Sequence, residues 1–225
     1  MAAVLVLLAC IGGVRAAPDT SDTPATANLV LVLGDSLSAA HNIPVESGWV
    51  YLLQERLQKM ETGWTVINAS VSGETSLSGR NRLPDLLQQY HPGVVVIELG
   101  ANDGLQGLPL DKLQENLAAM IDAAQATNAK VLLLGIELPV NYGPQYRDGL
   151  RRIYSNVSAL HRAALVPFLL QGLLDGDQLK PEWVQEDGLH PVAEAEPRVL
   201  DTVWRQLQPL LSLPPSPLRS LRRSF

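Results

Sequence analysis

Apolar runs alternate with amphipathic stretches along most of the chain. Leu29-Val30-Leu31-Val32-Leu33 is an unbroken apolar run, the pattern of a strand buried on both faces. Trp49, Val50, Leu52, Leu53 and Leu57 then recur at helical spacing, with Ser47 placed to cap the helix. Thr65-Val66-Ile67-Asn68 predicts a second strand, and residues 80–90 a helix with Leu83, Leu86, Leu87 and Tyr90 on one side. Val94-Val95-Val96-Ile97-Glu98-Leu99 is the clearest strand. Pro109 marks a helix start, followed by a stripe of Leu110, Leu113, Leu117, Met120, Ile121 and Ala124. Val131 to Ile136 predicts the fourth strand, and about Gln145 to Arg162 a helix with Ile153, Val157 and Leu160 facing in. Leu165-Val166-Pro167-Phe168 reads as an edge strand, because proline is confined to edges. A last helix spans about Glu194 to Leu211. This alternation implies an α/β fold with a parallel sheet covered on both faces and right-handed crossovers.

The 225 residues suffice for one substantial α/β domain, expected over residues 28–212. A net charge of −6 argues against nucleic acid as a partner, since such a protein should carry a basic stripe. No zinc-type spacing occurs, so neither metal nor cofactor is expected. The single cysteine, Cys10, allows no intramolecular disulfide. It lies in the apolar run Ala2–Val14, too short for a stable membrane span and followed by small residues at Ala16 and Ala17. Residues 1–17 therefore read as a signal peptide of an exported, periplasmic or secreted protein. Lipid attachment at Cys10 is the alternative. Residues 18–27 form a leader rich in Pro, Asp, Ser, Thr and Ala, and residues 213–225 a basic tail after the last helix. A monomer is expected.

Chemistry gathers at the predicted strand ends. Gly34-Asp35-Ser36-Leu37-Ser38 follows the first strand, Ser72-Gly73-Glu74 the second and Gly100-Ala101-Asn102-Asp103 the third. In an open parallel sheet, ligands bind outside the carboxyl ends of the strands. Each motif alone fits ordinary turn or cap chemistry. Asp187-Gly188-Leu189-His190 near the C-terminus changes the reading of the set, because one tight turn can bring its carboxylate and imidazole together. The Asp187 carboxylate would then accept from His190 Nδ1–H, leaving Nε2 to take the Ser36 proton. Acyl transfer also needs donors aimed at the developing oxyanion. The backbone N–H groups of Ser36 and Gly73 and the Asn102 side-chain amide could supply three.

Those four blocks resemble the SGNH (GDSL) hydrolase family. Val140-Asn141-Tyr142-Gly143, Leu179-Lys180-Pro181-Glu182-Trp183 and Gln206-Leu207-Gln208-Pro209-Leu210 are similar to one bacterial branch of it, the periplasmic thioesterase/lysophospholipase/arylesterase group. The likeness spans roughly residues 29–211. It implies a flavodoxin-like three-layer α/β/α sandwich with about five parallel strands. It also implies Ser36 as nucleophile, His190 as base, Asp187 as its orienting partner and an oxyanion hole of Ser36, Gly73 and Asn102. Two departures touch the rim: His41-Asn42 stand where a tyrosine-containing segment is expected, and Val192-Ala193-Glu194 follow His190-Pro191. The string around Ser36 lacks the second glycine of GxSxG, which excludes an α/β-hydrolase nucleophile elbow.

The loops at this edge are apolar. Leu105 and Leu108 follow the Asn102 block, and Pro139 and Tyr142 follow the fourth strand. They either pack inward or wall a groove for an acyl chain. The substrates expected are small-molecule or lipid acyl esters and thioesters. A carbohydrate acetylesterase is the rival on the same fold, and a binding module without chemistry the rival outside enzymes.

Overall fold

The computed structural model describes residues 27–211. The expected signal segment, Cys10, the leader up to residue 26 and the C-terminal tail lie outside them. Five strands form one parallel sheet in the order β2-β1-β3-β4-β5. They are β1 (Ala27–Gly34), β2 (Thr65–Asn68), β3 (Pro92–Glu98), β4 (Lys130–Leu134) and β5 (Ala164–Val166).

Strand periodicity explains the layers, since successive side chains point to opposite faces. Val30 and Val32 of β1, Val94 and Val96 of β3, and Leu132 and Leu134 of β4 enter one core. Leu31, Leu33, Val95, Ile97, Val131 and Leu133 enter the other. The register aligns them, Val30 with Val94 and Leu31 with Val95. The first core is covered by α1 (Trp49–Lys59) and α6 (Glu196–Leu210). The second is covered by α2 (Ser76–Tyr90), α4 (Leu110–Ala126) and α5 (Pro144–His161). The architecture is the three-layer α/β/α sandwich that the alternation predicts. Among the described residues, no helix is long and apolar enough to cross a membrane.

Several local expectations are corrected. Ser47 does not cap α1: it closes a 3₁₀ turn, Val45–Ser47, and Gly48 takes the N-cap position. The first helical N–H, that of Trp49, instead donates to Glu196 Oε2 at 2.8 Å. Glu196 is 1% exposed, and burial pushes its carboxyl up to about 7 against the opposing bond from Trp49 N–H. The first turn of α6 is thereby fastened to the first turn of α1. Helix α2 starts four residues earlier than the periodicity suggests, at Ser76, where Thr75 caps it by accepting from Ser78 N–H. Leu160, expected to face inward, is 77% exposed. Residues 169–183, where the pattern predicts no element, hold a 3₁₀ turn (Leu169–Leu173) and a two-stranded hairpin, β6 (Leu174–Asp175) with β7 (Gln178–Leu179). Leu169, Leu170 and Leu173 of that turn belong to the first core.

The strand order sets the place for chemistry. From β1 the chain goes outward to β2, then crosses back to β3 on the other side of β1. The order reverses between β1 and β3, and a crevice opens outside their carboxyl ends at such a point. Ser36 lies two residues beyond β1. Asn102 stands in α3 (Ala101–Leu105), a short helix that begins just beyond β3.

Candidate active site

Strand β1 ends at Gly34, where a Cβ would lie 2.8 Å from Glu98 Oε2 and from Ser38. The chain then turns sharply. The Asp35 carbonyl accepts from Ser38 N–H and Ala39 N–H, and Asp35 Oδ1 accepts from Leu37 N–H at 3.1 Å. This turn buries Asp35 and leaves Ser36 half-buried at the crevice. Ser36 Oγ stands 2.8 Å from His190 Nε2.

His190 arrives on a loop held at its base. Val192 N–H donates to the Trp183 carbonyl, and Gln185 N–H to the His190 carbonyl. The Gln185 side chain reaches the carbonyls of Pro191 and His41 at 2.9 Å each, tying this loop to the Ser36 loop. The Arg198 guanidinium of α6 lies 3.6 Å over the Trp183 ring, at the base of this loop. Gly188, at φ +70°, makes the tight turn that the spacing of Asp187 and His190 predicts. Asp187 Oδ1 accepts from the backbone N–H groups of Leu189 and His190, at 2.8 and 3.1 Å. Its Oδ2 lies 2.7 Å from His190 Nδ1. Burial alone would raise the Asp187 carboxyl. The two backbone donors and the imidazole outweigh it and hold the group below the ordinary range. A carboxylate so held favours the tautomer with its proton on Nδ1, which leaves Nε2 as the base facing Ser36.

The two further donor positions are fastened to the same edge. Val71 N–H donates to the Gly34 carbonyl, bringing the loop of Gly73 beside the end of β1. Gly73 has φ +83°, a conformation glycine adopts without strain. The next residue, Glu74, is clamped by both carboxylate oxygens to Arg82 of α2, at 2.6 and 2.7 Å. Asn102 Nδ2 donates to the Glu74 carbonyl at 3.0 Å and to Asp35 Oδ2 at 3.2 Å. Its neighbour Asp103 is buried and accepts from the backbone N–H and the hydroxyl of Ser76. Three sheet-edge loops are thus linked through one amide and two carboxylates.

Of the predicted substrate-binding residues, Leu105 and Tyr142 pack in part against the second core. Tyr142 Oη donates to the Leu105 carbonyl and Tyr146 Oη to the Leu108 carbonyl, each at 3.1 Å. Leu105, Pro139 and Tyr142 are half-buried, and Leu108 is the most open of the four at 36%. An apolar cavity of about 160 Å³ opens elsewhere, on the α1–β2 side of the Ser36 loop. Ala40, Val45, Val50, Tyr51 and Val66 contribute to its lining, and no sequence pattern points to it.

His41, the departure at the rim, lies with its ring centroid 4.4 Å from that of His190. Among the described residues, His41, Asp187 and His190 are the one grouping whose ligand atoms, all within 4.8 Å of one another, could hold a metal ion. An ion there would take the His190 imidazole that faces Ser36 and the Asp187 carboxylate behind it, and would compete with acyl transfer instead of serving it. Sequence reasoning also missed Glu98. Wholly buried at the end of β3, it accepts from Asp35 N–H at 3.2 Å and Ser38 Oγ–H at 2.8 Å.

The GDSL-like lipase/acylhydrolase family model matches residues 32–196. Esterase TesA of Pseudomonas aeruginosa is 51% identical over 187 residues, 83% of this chain and 91% of that protein. The thioesterase 1/protease 1/lysophospholipase L1 of Escherichia coli K12 is 39% identical over 188 residues, 84% and 87% of the two. The crystal structure of the psychrotrophic esterase EstA from Pseudoalteromonas sp., inhibited by monoethylphosphonate, is 41% identical. It superposes with a TM-score of 0.76 over 83% of this chain and all of that one. By its motifs, its sheet and its relatives along nearly the whole domain, the chain belongs to the GDSL-like lipase/acylhydrolase family of hydrolases.

Proposed function

We propose that this protein hydrolyses carboxylic esters and thioesters of acyl chains through an acyl-enzyme on Ser36. The observation that carries the reading is the unbroken relay from Ser36 Oγ through His190 to Asp187, with links of 2.8 and 2.7 Å. In the first half-reaction Ser36 Oγ attacks the acyl carbonyl while His190 Nε2 takes its proton. The carbonyl oxygen becomes an oxyanion, met by the N–H groups of Ser36 and Gly73 and the Asn102 amide. The intermediate collapses, and His190 returns the proton to the departing alcohol or thiol. Water, deprotonated by the same imidazole, then attacks the acyl carbon; the bond to Ser36 Oγ breaks, the imidazolium returns the proton to that oxygen, and the acid leaves. Asp187 stabilises the imidazolium in both halves. No step needs a metal or cofactor.

Relatives named as esterase, arylesterase and thioesterase/lysophospholipase support a site that reads the acyl part more than the leaving group. Leu105, Leu108, Pro139 and Tyr142 form the acyl wall in this reading, with Leu108 the most exposed of them. A buried CH₂ contributes up to ~0.8 kcal/mol, so kcat/KM should rise by as much as about fourfold per methylene from acetyl to medium-chain p-nitrophenyl esters. Leu108→Ser should flatten the rise and leave acetyl ester hydrolysis nearly intact. Flattening by Val45→Ser alone would move the acyl chain to the cavity beside α1. Acetyl esters as the best substrates would favour the carbohydrate acetylesterase.

The protein acts outside the cytoplasm in this reading, as a monomer, after removal of residues 1–16 or 1–17. Intact-mass measurement on protein from the native host checks this. A mass that retains Met1, or a lipid adduct on Cys10, refutes simple cleavage.

A further inference from the structure

Directly behind Ser36, two carboxyl groups share a space from which water is excluded. Asp35 and Glu98 are both 0% exposed. Glu98 Oε2 is fully used, accepting from Asp35 N–H and from the Ser38 hydroxyl. Glu98 Oε1 is buried and has no partner. A bare carboxylate oxygen in that position forfeits its hydration with nothing in return, and a buried charge left unpaired is among the costliest arrangements in a protein. The Asp35 and Glu98 side chains lie within hydrogen-bonding reach of each other, so the Asp35 carboxylate can accept from a Glu98 hydroxyl. Asp35 in turn accepts from Leu37 N–H on Oδ1 and from the Asn102 amide on Oδ2.

We propose that Glu98 is a neutral acid that donates its Oε1 proton to the Asp35 carboxylate, and that this pair is the positioning device holding the Asn102 amide beside Ser36. Glu98 is a positioning residue: it acts on the substrate only through Asp35 and Asn102. The inference deepens the hydrolytic reading and rests on it. Two like charges in such contact cannot both be kept at modest cost, so one proton serves both. Burial is the largest influence on each group: it raises the Glu98 carboxyl well above its ordinary value and Asp35 to about 6. His190 faces Asp35 from the C-terminal loop, and Tyr154 of α5 and Asp103 of α3 complete the titratable surroundings. Tyr154 is itself held well above its ordinary range, by burial first.

The sign of the pH effect follows. Above about 6, Asp35 is ionised and can accept from Asn102, Leu37 and Glu98 together. As pH falls through that value Asp35 takes its own proton, its hold on the amide weakens, and kcat falls. Glutamine is the isostere of the neutral acid. It offers an oxygen to Asp35 N–H and Ser38 and an N–H to the Asp35 carboxylate. Glu98→Gln should therefore keep kcat within about threefold of wild type at pH 8 and leave the acid limb in place, since no donor or acceptor is lost. Glu98→Leu removes the donor that favours ionised Asp35. Its kcat at pH 7 should drop by about tenfold or more with KM little changed, and its acid limb should move to higher pH.

The deciding measurement does not depend on turnover. Infrared difference spectra of wild type against Glu98→Gln at pH 8 should show the C=O stretch of a carboxylic acid in the wild type only. Glu196, whose own carboxyl sits at about 7, contributes equally to both. Absence of that band overturns the shared proton even if the protein is an active esterase. So does an equal loss of kcat in both variants, which would mean that Glu98 serves as an anion. A wild type that hydrolyses no ester or thioester refutes the proposed function instead, while the band still decides the protonation of Glu98.

Discussion

Ser36→Ala is expected to lower kcat by about 10⁴–10⁶-fold, and His190→Ala by a similar factor. The double variant should lose little more, because nucleophile and base act as one unit. The ground is the 2.8 Å link between Ser36 Oγ and His190 Nε2, across 154 positions of sequence. Without the hydroxyl no acyl-enzyme forms. Without the imidazole, the hydroxyl keeps its proton at neutral pH and is a poor nucleophile. What remains in either variant is binding and the oxyanion donors, which alone sustain a small residual rate. Substitution at Asp187 should be milder. Its side chain is 37% exposed, so water can take over part of the work of orienting the imidazole. Ser36 is half-buried at a loop beyond the end of β1, so Ser36→Ala should fold with an unchanged melting temperature. Near-normal turnover of p-nitrophenyl esters by folded Ser36→Ala would remove the residue from the mechanism and the proposed function with it.

The parts of this molecule that repeat along the chain were legible in it. Strands β1, β3 and β4 carry apolar side chains on both faces, and a run as short and unbroken as Leu29–Leu33 suits a buried strand far better than a helix. The stripes of α1 and α4 repeat often enough to fix both type and face. The Asp187–His190 turn is short-range, and its glycine announces it. What escaped notice is polar, buried and long-range. Glu98 sits within an apolar run, and nothing local says that its partners are Asp35 and Ser38, 63 and 60 residues away. Glu196 caps a helix 147 residues earlier, whereas the local cap, Ser47, is spent in a 3₁₀ turn. The Glu74–Arg82 clamp and the Asp103–Ser76 pair are of the same kind. One-dimensional patterns locate faces, and a buried carboxylate looks like an exposed one until the fold brings its donors. Residues 169–183 stayed silent for another reason: 3₁₀ turns and two-residue strands are shorter than any period that could reveal them.

Asn102→Ala should reduce kcat by about 10²-fold and change KM little. An amide donor to the oxyanion matters most as charge develops, and loss of one such donor costs about 10²–10³ in rate. The lower end applies because the backbone donors of Ser36 and Gly73 remain. In the free protein both Asn102 donor bonds are taken, by the Glu74 carbonyl at 3.0 Å and Asp35 Oδ2 at 3.2 Å. The oxyanion must therefore compete for one of them, and the neutral Glu74 carbonyl is the one to yield, while the charge-assisted bond to Asp35 keeps the amide in place. The amide is aimed before substrate arrives, so little reorganisation is needed at the moment of reaction. Asn102→Asp should be worse than Asn102→Ala, because a carboxylate there would repel both the oxyanion and the Asp35 carboxyl. The competing view makes Asn102 a structural tie: its two bonds join the loops after β1, β2 and β3, and their loss would loosen all three. On that view Asn102→Ala lowers the melting temperature and leaves kcat of the folded protein almost unchanged. Both quantities can be read on one preparation. A defect confined to stability would take Asn102 out of the oxyanion hole and leave Ser36 and Gly73 to stabilise the charge alone.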